Sequence, residues 1–128
     1  MKIKNSYFET LLTKDIASIL KKEFSAKTSF HLARIFSKIE IESKTYFSEK
    51  QKLVNKHSKK DEAGKTIQAN GMVTIEDPKS FSKELEEILE IEIDLGIEKI
   101  NFDFDKEPSL PVDGMMILLP FIKENKNG

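Results

Sequence analysis

Four residues in the N-terminal half share a spacing that suits anion chemistry. Lys27, His31, Arg34 and Lys38 step by four, three and four, so on a helix they form one stripe. Arg34 is the only arginine in the chain. A guanidinium offers a planar two-pronged fork for phosphate, which a lysine does not. The stripe falls near the start of an expected helix, where unpaired backbone N–H groups add partial positive charge. Phe30 and His31 are placed to stack on a planar base. Together Lys27, Phe30, His31, Arg34 and Lys38 are the candidate ligand-binding set, and a small anionic nucleotide is the class they fit. The competing reading is a solvated helix flank that pairs with acidic residues elsewhere in the chain.

Other chemistries find less. There is no Cys, so no thiol nucleophile, disulfide or thiolate zinc site is available. No Gly-x-Ser-x-Gly elbow occurs, and His31 and His57 are the only imidazoles. Gly64-Lys65-Thr66 has the tail of a phosphate loop, but Lys59 stands where its first glycine belongs. Asp103-Phe104-Asp105-Lys106-Glu107 opens like a calcium loop. It lacks the turn glycine at the sixth position, and Gly114 replaces the glutamate at the twelfth. Glu86, Glu87, Glu90, Glu92 and Asp94 are dense enough to hold a divalent metal. Their alternation with apolar residues reads instead as the wet face of a strand. No catalytic residue, metal or cofactor is expected.

The chain has 128 residues, 34% of them charged and 38% hydrophobic, which suits one domain with a real core. The helical part covers about 5–60, and a hairpin, helix and strand part covers about 64–122. No apolar run approaches a membrane span, and charges interrupt any signal-peptide core, so a cytoplasmic protein is expected. The net charge of −1 hides an asymmetry. Residues 1–60 hold 14 Lys/Arg against 6 Asp/Glu, a net +8, and residues 61–128 hold 7 against 16, a net −9. The halves are expected to pair with each other, within or between chains. Nucleic acid is not the expected partner, because such binders carry several arginines.

The elements follow from periodicity. Leu11, Leu12, Ile16, Ile19 and Leu20 mark one helix from about 8 to 24. Leu32, Phe36, Ile39, Ser43, Tyr46, Lys50, Leu53 and His57 step by four and three alternately, a heptad seam on a helix from about 28 to 58. That helix is longer than a compact domain of this size is wide, so part of it should project or pack on another chain. Leu32, Phe36, Ile39, Tyr46 and Leu53 are the expected homo-oligomer interface. Asn70-Gly71 between β-prone tetrapeptides predicts a hairpin over 66–75. Asp77-Pro78 predicts a capped helix over 78–89. Period-two alternation predicts strands over 91–97 and 100–104, forming one small antiparallel sheet with the hairpin. A short helix over 112–119 and a frayed tail from Lys123 complete a mainly helical α+β fold with an N-terminal helical hairpin.

The order as a whole resembles a family of short phage and prophage proteins, a domain of unknown function. The resemblance is carried by Met1-Lys2-Ile3 with its helix, and by Ala26-Lys27-Thr28-Ser29-Phe30-His31-Leu32-Ala33-Arg34-Ile35 opening the long one. It continues through the polar loop with its hairpin, Phe81–Leu89, the alternating Ile91–Ile97, and Leu110-Pro111-Val112 to Leu119-Pro120-Phe121-Ile122. It implies a phage or prophage origin and carries no active-site residues to transfer. Two functions are expected. One is a non-enzymatic interaction protein that works as a homo-oligomer on a host or phage protein. The other is a sequestering protein that holds an anionic nucleotide signal between subunits. A divalent-metal enzyme using Glu90, Glu92 or Asp94 is a third, remoter option.

Overall fold

The computed structural model describes residues 1–123. Of the tail expected to fray, only Lys123 lies within them. Just over half of the chain is helical, with one long helix, two small antiparallel sheets and a short C-terminal helix. This is the mainly helical α+β class that the periodicity implies.

Everything is arranged around helix α3, Ala26–His57, 32 residues and about 48 Å long. Each end is closed by a side chain of the sign that the helix dipole favours. At the start, the Ser25 hydroxyl accepts from Thr28 N–H at 3.4 Å. Glu107, from the other half of the chain, accepts from Ser25 N–H at 2.9 Å and from its hydroxyl at 2.5 Å. These bonds from Ser25 hold the Glu107 carboxyl below the usual glutamate range. At the other end, Lys60 Nζ folds back on the Asn55 carbonyl at 2.6 Å.

The seam of α3 is covered from within the chain. Leu32, Ile39, Tyr46 and Leu53, expected to face a second copy, are buried, and Phe36 is half-buried. Helix α1, Ser6–Leu12, supplies one cover. Phe8 stacks on Tyr46 with ring centroids 5.9 Å apart. Glu9 accepts from the Tyr46 hydroxyl at 2.6 Å and pairs with Lys50 at 2.5 Å. This explains how polar Lys50 occupies a seam position: its ammonium meets a carboxylate there. Helix α4, Pro78–Leu89, covers the far end through Glu84, which bonds Lys56 at 2.9 Å and His57 at 2.8 Å. Asp77 caps α4 by accepting from Ser80 N–H at 3.2 Å.

The single helix expected over 8–24 is two. Helix α1 stops at Leu12, and α2 runs from Ala17 to Leu20. In the break the Thr13 hydroxyl bonds the Thr10 carbonyl at 2.8 Å, and the Ser18 hydroxyl bonds the Asp15 carbonyl at 2.6 Å. Such short polar side chains compete with the helical ladder. The two pieces serve different neighbours. Helix α1 docks on α3, and α2 docks on α5, Val112–Leu118. Gly114 permits that approach, since a Cβ there would lie 3.2 Å from Ile19 Cγ1 and 3.2 Å from Ser18 Oγ.

The expected sheet is also two. The hairpin pairs β2, Gln68–Ala69, with β3, Met72–Val73, around Asn70 at φ 53° and Gly71 at φ 77°. Both turn residues have the positive φ that a type I′ turn demands. The hairpin sits at the C-terminal end of α3, where Lys59 N–H donates to the Thr74 carbonyl at 2.8 Å. The second sheet pairs β1, Lys2–Lys4, with β4, Glu92–Asp94, in antiparallel register Ile3 to Ile93. Strand β1 had no sequence pattern to announce it. Of the strands expected over 91–97 and 100–104, only β4 forms a ladder. Asp94 Oδ1 accepts from Gly96 N–H at 2.9 Å, and Gly96 turns at φ 68°. That local turn ends the strand. Ile100 makes one parallel bridge to Ile122 instead. The apolar alternation still sorts side chains, for Leu95, Ile97, Ile100 and Phe102 are all buried.

Two outcomes follow from this arrangement. Ile39→Ala should cost about 2–5 kcal/mol in urea denaturation without changing the gel-filtration volume, because its contacts lie inside one chain. Glu107 contributes stability above the ordinary glutamate value of 4.5, and loses it as pH falls through its lower folded value. The stability gap between wild type and Glu107→Gln should therefore be constant above that value and shrink in acid, as read from urea midpoints across pH.

Candidate anion-binding cleft

The first turns of α3 carry Lys27, His31 and Arg34 on one side, and all three line a cleft of about 450 Å³. That lies within the range of small-ligand sites, about 300–1,000 Å³. The facing wall is the segment 96–101. Its position is fixed by what is buried beneath it. Ile97 and Ile100 enter the core that also holds Ile35. Ile100 N–H donates to the Phe121 carbonyl at 2.8 Å, and Lys123 N–H donates to the Ile100 carbonyl at 2.8 Å. This clamp leaves Glu98, Lys99 and Asn101 exposed along the rim and brings Lys123 beside them.

The cleft therefore gathers four cations, Lys27, Arg34, Lys99 and Lys123, with His31 and a single carboxylate, Glu98. Among the described residues none of these groups forms an ion pair within 4.0 Å. The pairing expected between the basic and acidic halves takes place elsewhere, at Lys4–Glu90 and Lys56–Glu84. Unpaired cations converging on one concavity attract an anion, and Arg34 can grip a phosphate with two parallel N–H donors. Because the cations are exposed, that attraction is screened by salt.

The structure divides the expected set. Lys27, His31 and Arg34 reach the cleft. Lys38, a further turn along, is exposed and outside it. Phe30 does not line it either. Its ring is 62% exposed and meets the edge of His31 at 5.7 Å between centroids. The helix N-terminus expected to attract a ligand already holds the Glu107 carboxylate. Both walls come from one chain, so the concavity forms without a second subunit. Glu98, Lys99, Asn101 and Lys123 were missed from sequence, because Glu98 and Lys99 fell between the two expected strands, Asn101 on the wet face of the second, and Lys123 in the tail expected to fray. Gly96, interrupting the first of those strands, was the mark of a turn. Among the acidic residues read as a wet face, Glu90 pairs with Lys4 at 2.7 Å, and Asp94 holds Gly96.

Compared with family models, curated proteins and solved structures, the chain matches none.

Because Arg34 and Lys99 are exposed and form no ion pair among the described residues, Arg34→Ala and Lys99→Ala should each leave folding stability within about 0.5 kcal/mol of wild type in urea melts. A larger loss would show that these cations hold the fold rather than wait for a ligand.

Proposed function

We propose that the protein binds, without transforming, a small phosphate-bearing ligand of the nucleotide class in the cleft between α3 and the 96–101 segment. The observation that carries this reading is the convergence of Lys27, Arg34, Lys99 and Lys123 on one cleft with no ion pair among the described residues. Cations left unneutralised in a concavity favour occupancy by an anion over closure of the site on itself. The resemblance of the element order to short phage and prophage proteins supports a setting. A phage-encoded protein would work in the host cytoplasm by removing an anionic signal from circulation.

A second reading concerns self-association. Val112, Met116 and Leu119 lie at i, i+4 and i+7 and are 75%, 46% and 54% exposed. An apolar edge of this kind suits another protein surface better than water does. It supports an interaction role through α5, in place of the α3 seam.

Native mass spectrometry with a panel of mono-, di- and cyclic nucleotides tests both. A stoichiometric complex is expected, weakened by added salt and by Arg34→Ala, with the ligand recovered chemically unchanged. A protein that takes up no member of the panel refutes the binding reading, and a converted ligand refutes binding without turnover. The mass of the free protein reports association directly, and Met116→Glu should reduce it to the monomer if α5 is the contact.

A further inference from the structure

Glu98 is out of place in a site for a bare anion. It lines the same cleft as Lys27, Arg34, Lys99 and Lys123, yet it joins none of them in an ion pair among the described residues. A carboxylate there repels phosphate and lowers the attraction that the four cations supply. The backbone that bears it is also held in place. Ile97 and Ile100, on either side of the Glu98-Lys99 pair, are 8% and 7% exposed, and the backbone of Ile100 is bonded in both directions. The backbone that carries Glu98 at the cleft is therefore ordered without a ligand, which lowers the cost of using the residue.

An ionised carboxylate only accepts hydrogen bonds, and it accepts them strongly from O–H and N–H groups. We propose that Glu98 is a specificity-determining residue. It selects phosphate esters that also carry a hydrogen-bond donor, such as sugar hydroxyls or an amino group on a base, and disfavours phosphates that carry none. A donor-bearing ester spans the cleft, with its phosphate on the cations and its hydroxyl or amine on Glu98. A ligand without the donor leaves the carboxylate facing its charge with nothing returned. A site of this kind discriminates sharply, because the analogue lacking the group strands a polar partner. The proposal rests on the cleft being the anion site.

Isothermal titration at low salt with three probes separates the two ideas. The probes are inorganic pyrophosphate, ribose 5-phosphate and adenosine 5′-monophosphate, each titrated into wild type, Arg34→Ala and Glu98→Gln, with folding checked by circular dichroism. Arg34→Ala should weaken all the binding that wild type shows. Glu98→Gln should weaken the sugar phosphate and the nucleotide about tenfold or more, while pyrophosphate binding holds or tightens. If Glu98→Gln shifts all three probes alike, Glu98 is background charge. Selection is then overturned, and the anion site stands. If wild type binds none of the three, or Arg34→Ala changes nothing, the site falls and the selection with it.

Discussion

The fold depends on burying one side of a helix that is longer than the rest of the chain is deep. Helix α3 presents Leu32, Ile35, Ile39, Tyr46 and Leu53 in a row, and all five are buried. No single element of this chain covers a row about 32 Å long on a helix of about 48 Å. The chain solves this with short pieces drawn from both sides of α3 in sequence. Helix α1 lies over the middle, α4 lies over the end, and the 97–102 segment closes the beginning. The helix is fixed in register as well as position, because Glu107 grips its capping residue Ser25 and Lys60 its last turn. Each of these side chains comes from outside the helix and opposes the dipole at its own end.

Such a frame leaves the flank of α3 free to carry charge. The stripe beside a buried seam is solvated by geometry, so basic residues there cost the core nothing. The cleft acquires its character when the opposite wall also turns cationic at Lys99 and Lys123. Neither wall alone makes a concave site. The wall at 96–101 exists because Gly96 ends strand β4 early and Ile97 and Ile100 pull the following residues down against Ile35. A strand continuing through 97 would have carried Glu98 and Lys99 along a ladder instead of across the mouth of the cleft.

Features governed by neighbours in sequence were legible. Helix α3, the Asp77 cap of α4, the Asn70-Gly71 turn and the short helix from Val112 all follow from local periodicity or turn chemistry. Features governed by distant partners were not. The heptad seam marks a buried face correctly, but spacing does not say whose side chains bury it, and here they belong to the same chain. The separate course of α2 after the break depends on α5, whose Gly114 admits Ile19 and Ser18. Strand β1 is three residues long, and only its pairing with β4 makes it a strand. Half of the cleft was legible for the same reason. The α3 wall is a helical spacing, whereas Glu98, Lys99 and Lys123 meet it only through the backbone clamp between Ile100, Phe121 and Lys123.

The pairing of Lys2 with Asp94 has a consequence for how the chain is made. Synthesis delivers the first strand long before the second, so β1 leaves the ribosome with no partner and waits until residues 92–94 appear. Helix α3 emerges in the same interval, with its apolar row only partly covered by α1. A nascent chain in this state resembles a contact map with its corners missing, and loop closure over that distance slows completion. The late arrival of residues 92–122 therefore supplies the missing strand, the cap for Ser25 and the second wall of the cleft together. Structure and site are finished in one stage, once residues 92–122 have emerged.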